Sequence, residues 1–191
     1  MERVLFAVKI LFVNACVRKE SRTLTLCRKY LEKYDSCEIK EVELQTSGLL
    51  PFDEKMLEKR NEDIARGSLS GSRYSYAKDF ADADMILIGA PFWDNSFPSC
   101  LKVYFEHICV NGLTFGYSPE GKPLSLCKAK ELVYITTAGG YISKRGSCEA
   151  YIRDMCDMFG IEKVRFIAAE GLDIIGNDPE KILEEIEEKM R

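Results

Sequence analysis

No stretch of the chain holds the roughly twenty consecutive apolar residues needed to cross a bilayer, and no run of five basic residues supplies the footprint of a nucleic-acid binder. Lysine and arginine, 27 in all, are outnumbered by 31 aspartates and glutamates, for a net charge of −4. Neither nucleic acid nor membrane insertion is therefore expected. Histidine occurs once, and the eight cysteines form no Cys-x-x-Cys pair and no Cys/His cluster, so no metal site is expected. The cysteines are widely spaced. Cys27 shares its three-to-four spacing with Leu24, Leu31 and Tyr34, and Cys148 with Tyr151, Ile152, Met155 and Phe159. That is the setting of buried free thiols, which predicts a reducing, cytoplasmic environment. Val13-Asn14-Ala15-Cys16 loosely imitates a lipoprotein cleavage box, but Glu2 and Arg3 cancel and Lys9 interrupts the apolar run. Repeats, low-complexity tracts and linkers are missing too, and 191 residues with 46% apolar content suit one domain, 1–191, whose residues 1–8 form an extension of unassigned role.

What is present is an alternation of short apolar runs and longer helical patterns, the signature of a parallel sheet covered on both faces. The runs Ile10 to Ala15, Glu38 to Leu44, Met85 to Ala90, Glu131 to Thr137 and Lys163 to Ala169 predict five strands. Helices are predicted over Arg22 to Tyr34, Ser99 to Cys109, Ser147 to Phe159 with Gly160 as its stop, and Pro179 to Met190. The connection 49–82 carries two more, Asp53 to Ala65 and Tyr74 to Ala83, while Gly112 to Leu126 reads as a long irregular loop. Five βα units predict an α/β, doubly wound, five-stranded parallel sheet of flavodoxin-like order 2-1-3-4-5. Ligands of such sheets bind beyond the carboxyl ends of the strands, where the order reverses. The segments after strands one, three and four are the candidates.

The first of these lacks both Gly-x-Gly-x-x-Gly and Gly-x-x-x-x-Gly-Lys-Ser/Thr, which removes a dinucleotide pyrophosphate and a nucleoside triphosphate. It offers Ser21-Arg22-Thr23 at a helix start, where free amides and the dipole attract a single phosphate. A helix cap alone would also account for Ser21. The second segment, Pro91-Phe92-Trp93-Asp94-Asn95, suits a planar ring that stacks on aromatics and meets polar groups near Asp94 and Asn95; packing on the following helix is the alternative. The third, Thr137-Ala138-Gly139-Gly140-Tyr141, lets backbone amides approach the polar edge of a flavin, or is a plain turn. The lone His107 lies within a helix and is read as structural. That helix carries a second apolar stripe of Cys100, Val103 and Val110 beside His107, which predicts a homodimer.

In order and spacing, Cys16 to Leu24, Ala90 to Lys102, Gly112-Leu113-Thr114-Phe115 and Thr137 to Tyr141 resemble the FMN-dependent NAD(P)H oxidoreductases, including azoreductases and quinone reductases. The resemblance implies FMN as cofactor, NADH or NADPH as co-substrate, and a quinone, azo compound or similar flat molecule as acceptor. It also implies a dimer. Ser21, Arg22 and Thr23 would surround the FMN phosphate, Phe92, Trp93, Asp94 and Asn95 would line the ring, and Thr137, Ala138, Gly139 and Gly140 would meet its polar edge. The flavin would perform hydride transfer, with no catalytic side chain. Two rival readings stand beside this one. Cys16, followed after five residues by Arg22 and Thr23, also resembles the phosphate loop of low-molecular-weight tyrosine phosphatases and some arsenate reductases, which would make Cys16 a nucleophile. The other rival is a flavodoxin, a carrier without enzymatic activity.

Overall fold

A computed structural model describes residues 8–142 and 147–190, so the first seven residues of the expected extension lie outside the described residues. Five parallel strands form the central sheet: β1 (Lys9–Asn14), β2 (Glu38–Glu43), β3 (Met85–Gly89), β6 (Glu131–Thr137) and β7 (Lys163–Ala169). Their order is β2-β1-β3-β6-β7, the doubly wound 2-1-3-4-5 arrangement. Val8 already belongs to the sheet margin, its carbonyl accepting from Glu38 N–H at 2.9 Å.

The period of two along each central strand sends alternate side chains to opposite layers. Leu11, Val13, Ile86, Ile88, Leu132 and Tyr134 face one side, and Ile10, Phe12, Met85, Leu87, Val133 and Ile135 face the other. Every one of these is buried, which is why the strands read as continuous apolar runs. The helices divide accordingly. On the second side lie α1 (Arg22–Leu31), through Leu26, Cys27, Tyr30 and Leu31, and α6 (Pro179–Met190), through Ile182, Leu183, Ile186 and Met190. On the first lie α3 (Ser75–Asp82), α4 (Ser99–Ile108) and α5 (Ser147–Phe159). The long connection also holds α2 (Glu54–Ala65), capped by the Asp53 carboxylate, which accepts from Met56 N–H at 2.8 Å.

One expectation is corrected. Gly112 to Leu126 is not irregular: it contains an antiparallel hairpin of β4 (Phe115–Tyr117) and β5 (Pro123–Ser125). Strands of three residues are too short to show a period, so the pattern gave no sign of them. The hairpin is held inward by buried Thr114, whose hydroxyl donates to Ile108 O at 2.7 Å. The second stripe on α4 is partly covered within the chain, with Cys100 and Val103 half-buried. Val110 is fully buried, and the His107 ring stacks on Phe52 at 4.4 Å while its Nε2 lies 2.8 Å from Leu50 O. The 49–82 connection thus packs on His107 through Leu50 and Phe52.

Candidate functional site

At the carboxyl end of the sheet, the loops after β1, β3, β6 and β7 enclose a cavity of about 420 Å³. Ser21 opens α1 as its N-cap, with extended backbone and a side chain that accepts from Leu24 N–H at 3.3 Å. Among the described residues, the Arg22 and Thr23 N–H groups donate to no protein acceptor, as the first turn of any helix leaves them. A cap and an anion cradle coexist here. Thr23 is wholly buried, and its hydroxyl lies 2.7 Å from that of Thr137, tying the β1 loop to the β6 loop.

The wall opposite is Pro91, Phe92 and Trp93. Phe92 N–H donates to Thr137 O at 3.0 Å, continuing the sheet past the end of β3. Trp93 and Ser96 then exchange backbone hydrogen bonds of 2.9 and 2.8 Å around Asp94 and Asn95, whose φ values are +49° and +63°. Two consecutive positive φ angles make this a type I′ turn, the conformation Asp and Asn tolerate best after glycine. Asp94 and Asn95 thus serve to turn the chain and hold Trp93 at the rim. Trp93 remains about one-third exposed, with the Arg18 guanidinium 5.9 Å from its ring centroid.

The far edge is built by the β6 and β7 loops paired backbone to backbone. Ala138, Gly139 and Gly140 carbonyls accept from Leu172, Asp173 and Gly171 at 3.1, 2.9 and 2.8 Å. With the carbonyls so engaged, the Gly139 and Gly140 N–H groups have no protein acceptor among the described residues. A Cβ at Gly139 would meet the Asp173 carboxylate, lying 3.1 Å from its Cγ, so a side chain there would displace Asp173. Asp173 in turn pairs with Arg22 (Nη1 to Oδ1, 3.0 Å), closing a polar ring around the cavity mouth.

Of the residues picked from sequence, Ser21, Arg22, Thr23, Pro91, Phe92, Trp93, Thr137, Ala138 and Gly139 line one cavity. Asp94, Asn95 and Gly140 do not; Asp94 lines a neighbouring cavity of about 530 Å³ on the other side of Trp93, with Gln45, Phe97 and Cys100. Sequence reasoning missed Val17, Arg18, Glu20, Leu172 and Asp173. The signal for the last two was the loop after the fifth strand, which ends at the same edge of the sheet.

Cys16 is not placed for nucleophilic chemistry. It is buried and absent from the cavity lining, and its Sγ points to Gly89 O at 3.7 Å. Burial pushes its thiol up to about 11, the opposite of an activated thiolate. The donors that remain fit a flavin mononucleotide: one phosphate-sized nest of amides, hydroxyl and guanidinium, an aromatic wall, and free amides at the far edge.

A family model described as Flavodoxin-like fold matches residues 8–191, and the chain belongs to that family. Among its curated relatives, FMN-dependent NADH:quinone oxidoreductase 2 of Clostridium acetobutylicum is 34% identical over 195 residues, 96% of each chain. The FMN-dependent NADH:quinone oxidoreductase of Coprothermobacter proteolyticus is 31% identical over 183 residues, 91% of each. An azoreductase from Bacillus anthracis str. Sterne shares the fold with a TM-score of 0.81 at 22% identity, covering 96% of both chains. So does an FMN-dependent NADH-azoreductase from B. anthracis str. Ames Ancestor in complex with FMN (TM-score 0.79, 20% identity, covering 96% of this chain and 95% of that one).

Proposed function

We propose that the protein is an FMN-dependent oxidoreductase that takes reducing equivalents from NADH or NADPH and delivers them to a quinone, azo compound or similar flat acceptor. The observation that carries this reading is the joining, in one cavity, of the Ser21-Arg22-Thr23 helix start, the Trp93 wall and the Ala138-Gly139 edge. Its volume falls within the roughly 300–1,000 Å³ of small-molecule sites. The relatives' names point the same way. When bound, FMN supplies the hydride and electron chemistry. The chain's residues bind and orient it. Ser21, the N–H groups of Arg22 and Thr23 and the Arg22 guanidinium hold the phosphate; Pro91, Phe92 and Trp93 give the ring an apolar wall; Gly139 and Gly140 present amides to its polar edge. The Thr23–Thr137 hydroxyl pair fixes the distance between phosphate cradle and ring edge. Asp94 and Asn95 act by setting the turn that places Trp93. Purified protein is expected to be yellow, to release FMN identified by mass, and to consume NADH or NADPH when a quinone is added. Release of FAD, or no flavin uptake on reconstitution, refutes the reading.

We also propose that residues 1–191 act as a single flavodoxin-like domain, supported by one continuous sheet and the extent of the family match. A homodimer is supported by apolar exposure in the loops after β6 and β7: Tyr141 is 69% and Ile175 fully exposed. Light scattering showing a monomer at micromolar concentration with flavin bound removes it. A cytoplasmic setting is supported by eight free cysteines. No helix among the described residues is long and apolar enough to cross a membrane.

A further inference from the structure

The Arg22–Asp173 pair sits where the phosphate of the proposed cofactor belongs. Arg22 comes from the first turn of α1, and Asp173 reaches it across 151 positions of sequence from the β7 loop. The Asp173 side chain is largely exposed, but the backbone that carries it is fixed. Its amide is fixed by Gly139 O, the neighbouring Leu172 amide is fixed by Ala138 O, and its carboxyl carbon sits where any side chain at 139 would collide. Its backbone is therefore anchored to the β6 loop, and its carboxylate meets the Arg22 guanidinium at the helix start. With no phosphate present, the Asp173 carboxylate is the charge partner of the half-exposed Arg22 guanidinium. A phosphate monoester carries about −1.5 to −2 charges against the single charge of a carboxylate, and offers more acceptors to the same donors.

Resting on the flavin reading above, we propose that Asp173 is the resident counter-anion of the phosphate site, a specificity-determining residue that Arg22 exchanges for the phosphate of the incoming cofactor. The consequence is a cost confined to phosphorylated ligands. Binding FMN breaks the 3.0 Å pair and leaves a carboxylate beside a phosphate. Riboflavin has no phosphate, leaves the pair intact and is indifferent to Asp173. Asp173 thus lowers the hold on FMN without altering the fit of the ring.

The test is a titration of apoprotein with FMN and with riboflavin, followed by quenching of flavin fluorescence, for the wild type, Asp173→Asn, Arg22→Ala and the double variant. Asparagine keeps the shape packed on Gly139 and removes the charge. Asp173→Asn is expected to tighten FMN about three- to tenfold, the scale of a partly exposed ion pair plus relief of like-charge repulsion, and to leave riboflavin within about twofold. The gain is expected to shrink in the Arg22→Ala background, where only the relief of repulsion remains, and to shrink at high salt. Asp173→Ser is the second variant, with the same expectation, should the asparagine protein fold poorly. Weaker FMN binding by Asp173→Asn, an equal change for both flavins, or the same gain without Arg22 overturns the proposal while leaving the flavin reading in place. Failure of the wild type to bind either flavin overturns the flavin reading itself, and the proposal with it.

Discussion

Gly89, at the end of β3, is where a single methyl group should do the most damage. An added Cβ would lie 2.5 Å from Cys27 Sγ and 3.3 Å from Phe12 Cε2, both fully buried between β1, β3 and α1. Neither neighbour can retreat, since the layer around them is closed by Leu26, Leu31 and Leu87. Overpacking of this kind costs about 1–3 kcal/mol, which in a chain of this length lowers Tm by about 2–4 °C for each kcal/mol. The clash is dominated by one atom, so its removal should rescue the fold. Cys27→Ala alone is expected to cost about 1 kcal/mol for a lost sulfur and the small void left behind. The Gly89→Ala/Cys27→Ala double variant is expected to be no less stable than Cys27→Ala, a coupling of about 1–3 kcal/mol. Urea unfolding of the four proteins at constant m measures it. Gly89 O also receives Ala15 N–H at 2.8 Å and the Cys16 thiol, and Gly89 leads directly into the Pro91–Trp93 wall. The single variant should therefore hold FMN less firmly, and the double variant should recover. Additive losses would refute the steric account, because they would mean that the methyl group is accommodated elsewhere.

Ser21→Ala is expected to cost about 1 kcal/mol of stability through the lost cap and to weaken FMN retention, with Arg22→Ala weakening retention alone; denaturation and cofactor release on dialysis separate the two effects. Cys16→Ser should leave quinone reduction nearly unchanged, and an alkylating reagent at pH 8 should leave native Cys16 unmodified, as protein mass shows after digestion. Burial also pushes Cys109 up to about 11 and Cys127 and Cys156 to about 12. The folded state therefore keeps protons that the unfolded chain releases above about pH 9, so stability should be intact below that pH and fall between about 9 and 12, by about 1.4 kcal/mol per pH unit for each such thiol. Equal urea midpoints at pH 8 and pH 10 would contradict this.

The sheet could be read from sequence because its strands are buried on both faces. Glu131–Thr137 and Lys163–Ala169 carry the bounds their apolar runs announce, and the break after Phe159 is marked by Gly160, whose φ is +71°. The site was legible wherever a loop follows a strand of known order, since topology alone brings those ends together. Three things were not. The turn made by Asp94 and Asn95 leaves no hydrophobic signature and shows only in their positive φ angles. Val110 sat on an apparent outer stripe of α4, but the chain leaves helical geometry at Cys109 and turns it inward. Asp173 stayed hidden because its importance comes from Gly139 and Arg22, neither near it in sequence.

The two layers flanking the sheet are unequal: among the described residues, the α1 and α6 side gathers thirteen buried side chains in its cluster and the opposite side twenty-six. Amide exchange should mirror that imbalance, with α1 and α6 opening at lower free energy than α3, α4 and α5. The phosphate cradle is the first turn of α1, so it is mounted on the weaker half of the molecule. A cofactor that clamps Ser21, Arg22 and Thr23 while leaning on the β6 loop acts as a rivet through that half. Its largest imprint on exchange rates should therefore fall along α1, well beyond the residues it touches.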